Sequence, residues 1–250
     1  MTDTGKFMRI MNIELKLVLR NFLNVFFALI LPPCMLLIFG SIYGNNPTKF
    51  FGGYGTVDVC TAAYSGMVIG TIALMNLPLT IAQYRERKLL KRFMIMPVNI
   101  LSILGVQALV NFFIITFGML ILIATGEIVF GLNFQGNLAY VLFAYLLFSI
   151  SILAFGLFIA GVSPNAKTAV ALANIIFYPS IFLSGATMPI EMMPKAVVTI
   201  SKIFPLTHGI KFFKGMWLGQ DISLFYGEIL VLCLILIASV VLSLAFFKYE

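Results

Sequence analysis

Apolar residues run along this chain in six long blocks, at 22–43, 59–83, 98–124, 138–162, 168–187 and 225–247, and the charged residues gather between them. Each block approaches or exceeds the ~20 residues a helix needs to cross roughly 30 Å of hydrocarbon. The pattern therefore predicts an all-α integral membrane protein with six transmembrane helices in one membrane domain, 1–250. Pro32, Pro33, Pro78 and Pro179 fall inside three of the blocks. In lipid they predict kinks rather than breaks, because neighbouring groups re-satisfy the freed backbone. The turn at 163–167 is too short for anything but an antiparallel pairing of the fourth and fifth helices.

Composition agrees. The chain is 61% hydrophobic and only 10% charged, against the roughly one quarter charged that is usual for soluble domains. A net charge of +7 raises the question of nucleic acid. The basic residues cluster beside the apolar blocks instead, where they anchor membrane helices to lipid, so no nucleic acid is expected. They also orient the chain. With the N-terminus inside, the cytoplasmic segments hold Lys6, Arg9, Lys16, Arg20, Arg85, Arg87, Lys88, Lys91, Arg92, Lys167 and Lys248, eleven in all, against five outside, Lys49, Lys195, Lys202, Lys211 and Lys214. Both termini are thus expected in the cytoplasm. No small-residue cleavage site closes the first block, so no removable signal peptide is expected.

Three segments outside the blocks have a pattern of their own. In 6–21, a spacing of about 100° per residue puts Lys6, Arg9, Asn12, Lys16 and Arg20 on one arc and Phe7, Met8, Met11, Leu15 and Val18 on the other. This is an interfacial helix, basic face to water and phosphate; as such it is either a working part or an anchor that sets orientation. In 84–96, a helix would place Arg87, Lys88, Lys91 and Arg92 on one face and Leu89, Leu90, Phe93 and Met94 on the other, with Glu86 amid the apolar side. An apolar face turned to the cytoplasm makes a docking surface. The alternative is a helix flat on lipid, its acid tolerated near the helix start; the position of Glu86 favours docking. In 188–220, two helices of about a dozen residues, broken at Pro205, are too short to span but apolar enough to dip into the bilayer, with Trp217 at the interface. They form an outer re-entrant hairpin or, alternatively, a surface loop.

Catalytic chemistry is missing from the sequence. Cys34, Cys60 and Cys233 are odd in number and far apart, and His208 is the single histidine, so no disulfide framework or metal site is expected. There is no phosphate-binding loop and no intramembrane carboxylate pair; the chain is not expected to hydrolyse ATP. The six blocks also lack charged residues in their interiors, which ion-coupled carriers commonly keep despite a cost of about 2.5–3.5 kcal/mol each. Their polar residues are mild, and Asn76, Asn111 and Asn174 are candidates for lining a path for cargo.

Two stretches resemble the permease subunits of type-2 ATP-binding cassette (ABC) exporters. Arg85-Glu86-Arg87 through Pro97-Val98 is similar to that family's cytoplasmic coupling helix, with its R-E-R start and proline-led entry to the third span. Leu183-Ser184-Gly185 through Pro189, Pro194 and Pro205-Leu206-Thr207 resembles the stretch around the family's outer re-entrant helices. The resemblance implies a permease that pairs with a second copy or a paralogue and is driven by a separate ATPase subunit, which would bind the ATP and magnesium. It implies that Tyr84, Arg85, Glu86, Arg87, Leu89, Leu90 and Phe93 dock the ATPase, and that Gly185, Pro189, Pro194, Pro205, His208 and Lys214 build the outer gate. Segment 6–21 would match the interfacial connecting helix. Two residues depart from the pattern: Lys88 stands where many members have glycine, and Lys214 where many have arginine. The implied setting is a bacterial plasma membrane and the implied cargo a drug, antimicrobial peptide or lipid-like molecule. Alternatives are a polysaccharide exporter, an ion-coupled carrier, or a scaffold or sensor that transports nothing.

Overall fold

The computed structural model describes residues 3–20, 22–48, 51–88, 100–187 and 193–246, with the side chains of the first helix from Met11 onward. Within these, helix α1 (Asp3–Arg20) leads into α2 (22–43), α3 (Thr56–Glu86), α4 (Ile100–Phe130), α5 (Leu138–Val162) and α6 (Ala166–Leu183). Two shorter helices, α7 (Lys195–Ser201) and α8 (Pro205–Trp217), precede α9 (Tyr226–Phe246). Among the described residues, helices α2, α3, α4, α5, α6 and α9 are the six long and apolar enough to cross a membrane. Among the described residues there is no strand, only an isolated bridge between Pro47 and Gly55.

The prolines act differently from one another. A proline lacks an N–H and its ring meets the carbonyl four residues back. In α2 a π-helical turn, Phe26–Ile30, comes just before Pro32 and Pro33; in α3 another, Thr71–Asn76, comes just before Pro78. Each wider turn shifts the hydrogen-bond register where the proline would collide. Pro179 sits inside an uninterrupted α-helix.

Helix α3 is the hub. Every residue of its first segment, Thr56–Gly70, is buried, and it packs against α2, α4 and α8; its later half packs against α5 and α6. Small residues permit this crowding. A Cβ on Gly156 of α5 would lie 2.0 Å from the carbonyl oxygen of Ala73 in the α3 π-turn, so the two backbones nearly touch. The longest pairing joins α5 to α9, where Ser151 Oγ donates to the Leu232 carbonyl at 3.1 Å. The tight turn does set α5 and α6 side by side, but each packs more fully on α3 than on the other. The rim of the bundle is apolar, with Ile150 on α5 and Leu230, Leu234 and Ile237 on α9 exposed, as a bilayer solvent requires.

At one end, Asn45 and Asp58 lock three segments together. The Asn45 side-chain oxygen accepts from the Val57 and Asp58 N–H groups, and its amide donates to Asp58 at 3.0 Å. Buried Asp58 also accepts the Asn133 N–H at 2.9 Å, which ties α3 to the α4–α5 connection. A carboxylate in the first turn of a helix also meets the positive end of its dipole.

Candidate functional site

At the opposite end, the last turn of α3 reaches three other helices from three consecutive residues. The Tyr84 hydroxyl donates to Glu14 on α1 at 2.6 Å. Arg85, 7% exposed, donates through Nη1 to the carbonyls of Ala160 (3.1 Å) and Ser163. The exposed Glu86 accepts the N–H of Ala166, the first residue of α6, at 3.3 Å. A helix leaves its last carbonyls and first N–H groups without intrahelical partners, and carries partial negative and positive charge there. Arg85 and Glu86 therefore match the α5–α6 turn by sign, cation on the end of α5 and anion on the start of α6. The Asn165 side chain completes the turn by capping α6, accepting from Thr168 N–H at 2.9 Å.

The helix then stops. Lys88 adopts a left-handed φ of +54°, which costs a residue with a Cβ about 1–2 kcal/mol and glycine little. The position where the resembling family often has glycine is thus one whose backbone favours it. The expected helix 84–96 is not one continuous element: Tyr84, Arg85 and Glu86 end the long α3, and Arg87 and Lys88 form the turn after it. A helical wheel drawn through Lys88 no longer applies, and Glu86 addresses the α5–α6 turn. Leu89, Leu90 and Phe93 lie outside the described residues.

On α1 the expected two faces are present from Met11 onward. Lys16 and Arg20 are exposed, while Val18 is buried and Met11 and Leu15 pack on the core. Lys6 and Arg9 belong to the helix, but their side chains are not described. Sequence reasoning missed Glu14, 4% exposed on the apolar face. Its signal was available: an acid spaced three, one and four residues from Met11, Leu15 and Val18.

Among the residues expected at the outer gate, Gly185 (φ +87°) turns the chain after α6, Pro194 precedes α7 and Pro205 opens α8. His208 Nε2 lies 2.8 Å from the Lys202 carbonyl oxygen, holding the start of α8 to the end of α7. Gly185, His208 and Lys214 come together around one cavity; Pro189 lies outside the described residues. Trp217 is not at a lipid interface but 4% exposed within the protein, edge-on to Phe134 with ring centroids 5.0 Å apart. Its helix carries the reason: α8 turns an apolar face, including Ile210 and Phe213, into α3 and α5.

Two of the three asparagines meet. Asn76 donates to Asn111 at 2.9 Å in a buried bridge between α3 and α4, and Asn111 donates to the Gln107 carbonyl at 2.7 Å. The first bond joins two helices, a kind of contact that contributes about 0.6 kcal/mol on average in a membrane protein; the second stays within α4. Asn174 stands apart on α6.

Six apolar membrane-crossing helices define a multi-pass helical membrane protein. Residues 6–218 match the ABC-2 type transporter family, and the chain belongs to it. Similar curated proteins include the probable multidrug ABC transporter permeases YbhR and YbhS of Escherichia coli K12. YbhR is 28% identical over 158 residues, 63% of this chain and 43% of that protein. YbhS is 25% identical over 177 residues, 70% of this chain and 46% of that protein. Nodulation protein J of Rhizobium leguminosarum bv. viciae is 29% identical over 110 residues, 43% of this chain and 42% of its own length. The matches thus span less than half the length of these relatives. No solved structure matches the chain.

Proposed function

We propose that the chain is the transmembrane permease of an ATP-driven exporter that moves a hydrophobic or amphipathic molecule outward across the plasma membrane. A separate ATPase subunit binds ATP and magnesium and docks at the segment beginning with Tyr84, and a second permease copy or paralogue completes the pathway. The observation that carries this reading is the three-way attachment at Tyr84, Arg85 and Glu86. A push delivered just beyond Glu86 moves the end of α3 and, through those bonds, the interfacial helix and the α5–α6 turn together. ATP binding then has only to favour one of two packings of the same helices. The family membership supports a permease, and the names of YbhR and YbhS support a drug-like cargo.

Affinity purification of the chain from its native membrane in mild detergent tests the proposal directly. A stoichiometric subunit with a phosphate-binding loop is expected to co-purify. Its absence under several detergents would refute ATP-driven export.

Orientation has its own test. The elements at the Arg85 end, including α1 and the α5–α6 turn, are assigned to the cytoplasm by the excess of lysine and arginine. A cysteine placed at Asn45, at the Asp58 end, is expected to react with an impermeant thiol reagent added outside, and one at Lys88 is not. Labelling at Lys88 alone would reverse the assignment.

A further inference from the structure

A groove of about 370 Å³ runs between α4 and α5, with the end of α8 at its floor. Its volume falls within the ~300–1,000 Å³ of small-molecule sites. Thr116, Ile123 and Glu127 line it from α4, and Leu138, Leu142 and Tyr145 from α5. Thr116 and Glu127 are eleven residues apart on one helix. At 1.5 Å per residue that is about 16 Å, so the groove is long and lies along the helix axes. Its Glu127 end is the Asp58 end of the bundle, since the connection that follows α4 is bonded to Asp58 through Asn133. One flank is open: Leu138, Leu142 and the neighbouring Leu120 are exposed, while Val141, Tyr145 and Trp217 are buried beneath them. In helices that cross hydrocarbon, an apolar slot of this direction lies parallel to the lipid chains outside it.

The polar groups of the wall differ in how they are satisfied. At the deep end Thr116 Oγ1 and the Tyr145 hydroxyl lie 2.6 Å apart, and Thr116 also donates to the Phe112 carbonyl at 2.8 Å. Glu127 is exposed at the other end, near the last turn of α4. Trp217, the one tryptophan of the chain, is also at that end, edge-on to Phe134 of the α4–α5 connection. It is 4% exposed, and its buried Nε1 has no hydrogen-bond partner among the described residues. An indole N–H can only donate, and buried donors are normally satisfied by protein, water or a ligand. The wall thus combines a long apolar slot with one donor, near its head-group end, in need of an acceptor.

We propose that the groove holds one acyl chain of a membrane glycerolipid, whose ester carbonyl accepts from Trp217 Nε1 while the hydrocarbon lies along α4 and α5 toward Thr116. An ester carbonyl stands at the head of each such chain, so one molecule supplies the acceptor and fills the slot. Bilayer ester carbonyls lie just inside the head groups, the depth at which a connection such as that between α4 and α5 leaves the hydrocarbon. The head group stays outside, beyond the open flank. This lipid is a fixed component of the folded protein rather than cargo. The site requires neither ATP nor a partner subunit, so it stands independently of the export proposal.

With a single indole in the chain, tryptophan fluorescence reports on the groove directly. The purified full chain is reconstituted in phosphatidylcholine vesicles with or without bromine on the acyl chains, which quenches an indole on close approach. Brominated lipid is expected to quench Trp217 at least twofold, although the ring is buried in the protein. The double variant Ile123→Phe, Leu142→Phe, which fills the groove, is expected to lose most of that quenching. Leu230→Phe, on the exposed face of α9, is expected to keep it. In neutral detergent, native mass spectrometry then compares short-chain phosphatidylcholine with its ether-linked analogue, which has the same head group and no carbonyl. The ester is expected to bind about two- to tenfold more tightly, the usual worth of one hydrogen bond. Trp217→Phe is expected to bind the two alike. Quenching that is absent, or that survives filling of the groove, would overturn the proposal. So would equal affinity of the unaltered chain for ester and ether, or a preference for the ester that persists in Trp217→Phe. Gel filtration of each variant separates a lost lipid from a lost fold.

Discussion

Arg85→Ala is expected to reduce the proposed ATP-driven transport at least tenfold and to lower the stability of the purified chain by about 1–3 kcal/mol, the usual cost of leaving buried acceptors without partners. The guanidinium is buried and satisfies two carbonyls, Ala160 and Ser163, where α5 ends. Alanine removes both bonds and the cation opposite the negative end of the helix. Arg85→Lys is not expected to restore function, because an ammonium on a shorter stem is more strongly hydrated than a guanidinium and costs more to bury at this site. Glu86→Ala makes the informative contrast. Its contact with Ala166 is exposed, so stability is expected to change by less than about 1 kcal/mol. Transport is nevertheless expected to fall, because the same residue links the end of α3 to α6. Thermal unfolding and vesicle transport, measured on both variants with the ATPase present, separate the effects. Unchanged transport in Arg85→Ala would remove the α3–α5 bond from the coupling route, and unchanged transport in Glu86→Ala would do the same for α6.

That contrast bears on what the sequence reveals. The six membrane helices were readable because hydrocarbon imposes one length and one composition on anything that crosses it. The prolines were readable as perturbations, yet whether they yield a π-turn, as before Pro78, or an unbroken helix, as at Pro179, depends on packing around them. Arg85, Glu86, His208 and Lys214 were legible as candidates. Their partners were not, since a hydrogen bond from Arg85 to Ser163 joins positions 78 residues apart. Glu14 and Asp58 were missed for related reasons. Each is a carboxylate at the margin of an apolar segment, where a charge usually means solvent, and each is instead buried on a polar partner from a distant segment. The groove beside Trp217 is least legible of all, for its walls come from α4, α5 and the end of α8.

Gly156→Ala is expected to be among the most damaging single-methyl changes in the chain. The added Cβ would stand 2.0 Å from the Ala73 carbonyl oxygen, and that neighbour is backbone within the π-turn of the hub helix, so it has no rotamer to change. Relief requires α5 to move away from α3, which loosens the α3 contact on one side and the α5–α9 seam on the other. Overpacking usually costs about 1–3 kcal/mol, and a contact against backbone on both sides belongs at the upper end or beyond. Gly105→Ala is the matched control: it lies in helix α4, and a Cβ added there would meet nothing within 4 Å. It is expected to gain about 0.5–1 kcal/mol, because glycine in a helix interior is less favourable than alanine by that amount. Thermal unfolding of the two variants in one detergent decides the matter. A Gly156→Ala protein melting with Gly105→Ala would mean that α3 and α5 do not approach this closely in the membrane, and that the hub can flex at its π-turn without resistance from α5.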